Sequence, residues 1–487
     1  MNVAGSGQRA AGREAVDAEA PARRSEASCP PPADAFDRRI AVGLFAVTFV
    51  TFAFFCNAGG WNQNAQWDLT RAIVERHTFQ IDEFRKNTGD VSWSNWSGEW
   101  HAYANKPPGV SMLSAIPYAL IVRWQLSNVM SAYVVTVLVC GTCGALIPVV
   151  IFLYGLHRRQ PPLSSTCVAL TIAFGTIVFP YSTVLFAHVP SALFLLLAFV
   201  WLDERPLLAG VCAGIASLCF YVCIPAALVL AIAAGGERPS RPPRGRAGRP
   251  LSFILGGVPF AILLGWYHYV CFGSPFRHSV EGSKAFTQKD LFLGVLRKPS
   301  AEALWGLTFS EYRGLFFVSP ILLVAFIGAI VMIRKRVMLR ELAAIVAIFI
   351  VFLAVNASFN GWEGGFAFGP RYLLPAIPLL AIPMFFAWRN ILLIVALLSV
   401  AIQFVATSVN PMPDGGIRHP LRDYLVPAFA RGELAANEQS IDDLVPQKGT
   451  RAAFNLGERV LPRRYSWIPV ALWLLTGSSL LIRRARR

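Results

Sequence analysis

The sequence predicts an all-α membrane protein of about twelve (11–13) transmembrane helices, with a long first outer loop and a polar C-terminal outer region. Two observations carry this. Apolar runs of 16 to 28 residues recur between Ile40 and Ile482, and each is long enough, or nearly so, to cross a bilayer as a helix. Of the 487 residues, 55% are hydrophobic and only 15% charged, whereas a soluble protein is about one quarter charged. This composition excludes global disorder. Short segments of alternating polarity, the mark of a membrane barrel, are absent from the sequence.

Residues 1–39 form the first segment. They are rich in Ala, Arg, Pro and Ser and read as a disordered cytoplasmic tail without the layout of a cleaved signal peptide. Candidate spans then cover 40–57, 130–156, 164–181, 184–202, 207–219, 220–234, 251–272, 314–333, 342–358, 373–388, 391–408 and 467–482. A further apolar stretch, 109–123, begins after Pro107-Pro108 and is short. Pro225 marks either a turn between 207–219 and 220–234 or a kink within one helix. Residues 40–408 are expected to form the membrane module, 409–466 an outer loop or small domain, and 467–487 the final helix and its basic tail.

The net charge of +16 sits largely in short loops, which points to cytoplasmic loops rather than to a nucleic-acid partner. The segments 235–250 and 334–340 and the C-terminus are each rich in Arg or Lys and are expected inside. That leaves 58–107, 273–313, 359–372 and 409–466 outside, with both termini cytoplasmic. If 109–123 is a partial or surface helix, Arg158-Arg159 also falls inside, and this arrangement is preferred; a full crossing would put that pair outside. Most of the nine cysteines lie within apolar runs. Cys140-x-x-Cys143 has no histidine partner for a metal, and a disulfide between Cys56 and Cys271 is conceivable near the outer face.

The spans are almost free of ionisable groups, so the chemistry is expected in the outer loops. In the first loop, Asn62 or Asn64 can cap a helix running to about Arg76. Asp68, Arg71 and Glu75 share one face of that helix, as a surface salt-bridge ladder or as a site. Trp61, Trp67, Trp93, Trp96 and Trp100 crowd the same loop and suit either a membrane interface or stacking on a sugar ring. Ser97-Gly98 suggests a hairpin turn that feeds Asn105-Lys106-Pro107-Pro108. The two prolines stiffen the chain and hold Lys106 at headgroup level, where it suits a lipid phosphate or simply snorkels. A second cluster, 360–372, contains Glu363, five glycines or prolines, and Arg371, whose planar fork can clamp a phosphate. His188 lies about one turn below the outer face, as a ligand or as a structural interface residue.

Together these residues resemble the C-type (GT-C) glycosyltransferase superfamily, with the nearest look to bacterial relatives of protein O-mannosyltransferases and of the lipid A aminoarabinose transferase. The resemblance covers roughly 40–405 and rests on WDLTRAIVE (67–75), NKPPG (105–109), FGSPF (272–276), YRGLFFVSP (312–320) and GPRYL (369–373). It implies a GT-C-like fold and an enzyme of the cell envelope, sited in the plasma or inner membrane. Such an enzyme takes a sugar from a polyprenyl-phosphate donor on the outer face and inverts the anomeric centre. It also implies an early acidic residue in the first loop as general base and the lysine of Lys-Pro-Pro on the donor phosphate. Many relatives carry Asp-Glu where this chain has Asn62-Gln63-Asn64, and the nearest acid here is Asp68, followed by Asp82.

The expected site is therefore Asp68 as base, with Asp82 as second choice. Lys106 and Arg371 would hold the phosphate, with Arg71 orienting Asp68 or the donor and Glu363, His188 and Trp67 on substrate. The phosphate is already a good leaving group, so no general acid is needed there, and no metal or cofactor is required beyond the lipid-linked sugar if Lys106 and Arg371 neutralise the phosphate. Expected partners are membrane lipids, this donor and a hydroxyl acceptor on a lipid, glycan or protein. The competing expectations are a transporter or flippase of lipid-linked glycans, which would need polar spans, and an inactive GT-C-like scaffold.

Overall fold

The computed structural model describes residues 35–236, 248–283, 288, 290–387, 393–444 and 451–486. The tail at 1–34 and most of the basic segment at 235–250 lie outside the described residues. The chain begins with α1 (Ala35–Ala53) and strand β1 (Phe55–Asn57), then α2 (Trp61–Glu75). The first loop continues as a β-hairpin, β2 (Val91–Ser94) and β3 (His101–Ala104), before α3 (Gly109–Ile121). Helices α4 (Asn128–Thr136) and α5 (Thr142–His157) join through one wide turn at Val137–Gly141. Next come α6 (Pro162–Phe174), α7 (Val178–Tyr181), α8 (His188–Trp201), α9 (Pro206–Cys219), α10 (Cys223–Gly235) and α11 (Gly248–Phe272). The remainder is α12 (Ala301–Thr308), α13 (Leu315–Val318), α14 (Leu323–Lys335), α15 (Leu339–Ser358), α16 (Ala381–Ala387), α17 (Leu393–Val409), α18 (Val426–Arg431), strand β4 (Ala453–Asn455) and α19 (Ile468–Ala485).

The chain is a multi-pass, predominantly helical membrane protein, but its helices are less uniform than twelve regular spans. Among the described residues, four helical stretches are long and apolar enough to cross: Asn128–His157, Gly248–Phe272, Leu339–Ser358 and Arg463–Ala485. Seven more apolar helices have only 10–17 residues. The shortening has local causes. Gly175 ends α6, and Pro375 and Pro378 hold Arg371–Leu380 in a 3-10 helix before α16. The 207–234 stretch breaks at Phe220–Val222, where Phe220 is extended, while Pro225 sits harmlessly in the first turn of α10. Glycines permit the close α9–α11 contact: a Cβ at Gly210 or Gly256 would strike the backbone carbonyl of Phe253 or Leu207.

At one end of the bundle, Asp203 pairs with Arg340 at 2.5 Å and lies 3.9 Å from Arg249, while Glu341 bridges Arg340 and Arg158. This ties together α5, the α8–α9 turn, α11 and α15. Arg340 and Asn356 lie near opposite ends of α15, about 24 Å apart at 1.5 Å per residue. The Asn356 end carries the first loop. There the apolar faces of α2 (Ala65, Leu69, Ala72), the hairpin (Ala102, Ala104) and α11 (Tyr267, Cys271, Phe272) form one buried cluster. Antiparallel β1–β4 pairing, Phe55 opposite Asn455 and Asn57 opposite Ala453, brings the segment around 453–455 beside the start of the first loop. Cys56 and Cys271 are both free, and they belong to different buried clusters.

Candidate functional site

The hairpin sets the first half of the site. Its turn forms at Asn95–Gly98, closed by Gly98 N–H donating to Asn95 O at 3.0 Å, with Gly98 at φ 101°. The expected turn is thus present, and its ladder pairs Val91 with Ala104 and Ser94 with His101. One step further out, Asn105 N–H donates to Asp90 O at 3.1 Å. This register sets Lys106 beside Asp90, with Nζ 3.0 Å from Oδ2. Asn105 Nδ2 lies 3.4 Å from Asp90 Oδ1 and 3.3 Å from Ser283 Oγ. Pro107-Pro108 then leads into α3 at Gly109, where a Cβ would meet the Leu218–Cys219 backbone at 2.5 Å.

Arg371 sets the second half. It leaves a loop bent by Gly364, Gly365 and Gly369, all at positive φ, and a Cβ on Gly364 would sit 3.4 Å from Arg371 Nε. Its guanidinium stacks over Phe186 and Tyr372, 4.8 and 5.1 Å from the ring centres, and reaches Tyr372 OH at 3.3 Å. Buried Arg313 braces this loop, donating to Ala367 O and, at 2.7 Å, to Gly365 O. Tyr181 OH donates to Phe368 O at 3.2 Å from the other side. His188 opens α8 only 3% exposed, edge-on to Phe220 at 5.0 Å and Tyr372 at 5.5 Å. Neither of its ring nitrogens has a hydrogen-bond partner among the described residues, an expensive state for a buried imidazole unless a ligand supplies one.

Asp90, Asn105, Lys106, His188, Arg371 and Tyr372 border one cavity of about 1670 Å³. Its polar end holds Lys106, Asp90, Arg371 and His188, with Asn62, Gln66 and Asn87 from the first loop. From there an apolar groove runs between α10, α11 and α15, lined by Ile224, Val258, Ile262, Trp266, Phe352 and Val355. Val258 to Tyr269 covers about 16 Å along α11. The groove opens sideways: Ile262 is 66% and Trp266 51% exposed. Chemically, this is a polar end carrying two cationic side chains, continuous with a laterally open apolar groove.

The other expected residues lie elsewhere. Asp68 is fully buried and does not line the cavity. Its Oδ1 accepts from Asn87 Nδ2 at 3.1 Å, and Oδ2 has no hydrogen-bond partner among the described residues. Burial lifts its carboxyl well above the usual 3.8, only partly offset by the Asn87 bond and the charge of Arg71. Arg71 is committed to Glu75 at 2.8 Å and stacks over Phe84. Burial works against ionisation of Glu75, yet the bonds from Arg71 and Tyr118 hold its carboxyl below the usual 4.5. Trp67 is packed on Tyr118 and donates to Asn128 Oδ1 at 2.6 Å; Trp61 is the α2 tryptophan at the cavity. Asp82 accepts from Ala102 N–H at 2.9 Å and faces His101, and Glu363 is half-buried; neither lines the cavity. Asn62 and Asn64 do not cap α2, whose N-cap is Gly60 at φ 110°.

No protein-family profile and no curated protein matches the chain. Among solved structures, two crystal structures of ArnT from Cupriavidus metallidurans are similar to it in chain course. The one bound to undecaprenyl phosphate is 14% identical, with a TM-score of 0.48 over 93% of this chain and 77% of that one. The apo structure is 15% identical, with a TM-score of 0.49 over 92% and 75%.

Residues not singled out from the sequence complete the site. Counting outward from Ser97-Gly98 sets Asp90 opposite Asn105, so the turn itself carried the signal for Asp90. Arg313 lies within the YRGLFFVSP stretch, but nothing local marks its side chain as the brace of a loop 52 residues away. Among the described residues, Asp90 and Asp443 are the carboxylates that line the cavity, and no group of three or more His, Cys, Asp or Glu side chains could hold a metal ion.

Proposed function

We propose that the protein is a glycosyltransferase that moves a sugar from a polyprenyl-phosphate donor to a hydroxyl acceptor at the outer face of the cell membrane. The observation that carries this is the juxtaposition of Lys106 and Arg371 at the head of the groove along α11. A sugar-linked polyprenyl phosphate has the matching parts: an anionic head, a polar ring and a long apolar tail. Transfer releases the phosphate with one more negative charge than it carried in the donor. Cations aimed at that charge lower the barrier to its departure. Lys106 and Arg371 would neutralise it, and His188 would donate from an imidazole that otherwise lacks a partner. Asp90 holds Lys106 in place until the phosphate arrives. The polar side chains of Asn62, Gln66 and Asn87 suit the hydroxyls of a sugar.

The charged network of Asp203, Arg340, Glu341 and Arg158 joins the helices at the far end of the bundle, which favours chemistry at one face over passage through the protein. The test uses undecaprenyl phosphate, the lipid bound in one ArnT crystal, as probe for the purified full chain. Saturable binding that weakens in Lys106→Ala and Arg371→Ala supports the reading. Accumulation of a polyprenyl-phosphate sugar in a strain lacking the protein would identify the donor. A wild-type protein that does not bind the lipid overturns the reading.

A further inference from the structure

An inverting displacement needs the incoming hydroxyl and the leaving phosphate on opposite sides of the anomeric carbon. The carboxylate that takes the hydroxyl's proton therefore stands across the sugar from the phosphate site. In inverting hydrolases the two sides are about 6.5–9.5 Å apart. Asp90 is in contact with Lys106, on the phosphate side. Asp68 and Asp82 do not line the cavity. Among the described residues that leaves one further cavity carboxylate, Asp443, and it comes from the far end of the chain.

Asp443 sits on a strap, 437–444, laid over the first loop. Asn437 Nδ2 donates to Ala58 O at 3.0 Å, and Asn64 Nδ2 to Ser440 O at 2.9 Å. Asn87 Nδ2 donates to Ile441 O at 2.7 Å, and Leu444 N–H to Lys86 O at 3.1 Å. Ser440 Oγ accepts from the N–H groups of Asp442 and Asp443 at 3.1 and 3.2 Å, which tightens the turn. The two adjacent acids then divide. Asp442 is an anchor, accepting from Asn128 Nδ2 at 2.7 Å, while Asp443 is exposed and borders the cavity. The anchor at Asn87 is three residues from Asp90, at most about 11 Å of chain, so strap and cation site border the same short stretch of the first loop.

Resting on the glycosyltransferase reading, we infer that Asp443 is the general base of the transfer and that the C-terminal strap completes the site. The acceptor oxygen bonds to the anomeric carbon as its proton passes to the Asp443 carboxylate. The bond from that carbon to the phosphate oxygen breaks, and its electron pair leaves with the polyprenyl phosphate, held by Lys106 and Arg371. The proton then passes from Asp443 to solvent, to which the residue is open.

The experiment has two readouts. The first is accumulation of polyprenyl-phosphate sugar, by mass spectrometry, in a deletion strain carrying wild type, Asp443→Asn or Asp443→Glu. The second is binding of undecaprenyl phosphate to each purified full-length protein. Asp443→Asn is expected to accumulate donor as the deletion does, consistent with the 100-fold or greater rate loss typical of a removed general base. Its affinity for undecaprenyl phosphate should stay within about twofold of wild type, and Asp443→Glu should restore part of the turnover. Wild-type donor levels in Asp443→Asn overturn the inference and leave the glycosyltransferase reading standing. Loss of lipid binding together with turnover also overturns it, because Asp443 would then only support the fold. A wild type that neither binds the lipid nor prevents donor accumulation removes the reading beneath it.

Discussion

Lys106 and Asp90 face each other at 3.0 Å across the open end of the first-loop hairpin, with Asp90 only 6% exposed at its side chain. On the proposed function the pair is a stored cation, with the Asp90 carboxylate giving way at Lys106 to the donor phosphate. Lys106→Ala removes a charge-assisted bond of about 1.5–3 kcal/mol, so affinity for undecaprenyl phosphate should fall at least tenfold. Asp90→Asn removes the internal competitor, so affinity should hold or rise severalfold. Titration calorimetry on both variants checks the opposite signs; equal losses would show that Asp90 binds lipid rather than guarding Lys106.

Asp68 makes a prediction about stability rather than turnover. Its folded carboxyl is held above the ordinary 3.8, so its contribution to stability is fully present below about that pH. The contribution is lost as pH rises toward the raised folded value, by up to about 1.4 kcal/mol per unit. Asn can still accept the bond from Asn87 Nδ2 and cannot ionise. Asp68→Asn should therefore match wild type in melting temperature near pH 4 and exceed it at pH 7, with donor turnover retained. A thermal-shift series across pH checks the first part. A dead Asp68→Asn protein that folds would return Asp68 to the chemistry.

Lys106 was legible because its setting is local: a glycine turn, two short strands and two prolines, all between Val91 and Pro108. Arg371 was legible for the same reason, in a glycine-rich bend between two apolar runs. The burial of Asp68 was not legible, because the spacing of Asp68, Arg71 and Glu75 shows a shared helix face but not what covers it. Part of the cover is the strap, which meets Asn64 across 376 residues of sequence. No periodicity carries that contact. It accounts for buried Asn64, while Gln63 is held by Asn57 O, Gly59 O and Leu185 N–H, and Gln66 by the Ser111 hydroxyl. The break at Phe220–Val222 was also hidden, because Pro225 marks the start of a helix as readily as its end. Phe220 and Tyr221, freed by that break, line the cavity.

Arg313 touches no part of the cavity, yet its two bonds hold the loop from which Arg371 projects. Arg313→Ala leaves two backbone carbonyls without their donor, at about 1–3 kcal/mol each. A lower melting temperature and weaker binding of undecaprenyl phosphate are expected together. Arg313→Lys, which can restore only one of the two bonds, should recover part of both. If Arg313→Ala lowers stability but leaves lipid affinity intact, the brace is structural only and Arg371 finds its place unaided.

The groove can be tested apart from the head. Gly265 lies on its α11 wall, and a Cβ there meets only Pro275 Cβ, at 3.4 Å, an ordinary contact. The position is inside a helix, where a larger residue costs less than glycine. Gly265→Trp should therefore fold and fill the groove without touching Lys106 or Arg371. Affinity for undecaprenyl phosphate should drop about tenfold or more, since each buried methylene of the tail is worth about 0.8 kcal/mol. Affinity for geranyl phosphate, whose tail is far shorter, should change little. Equal losses for both lipids would mean that the substitution disturbs the head site. No loss for either would mean that the tail runs elsewhere, along the membrane rather than along α11.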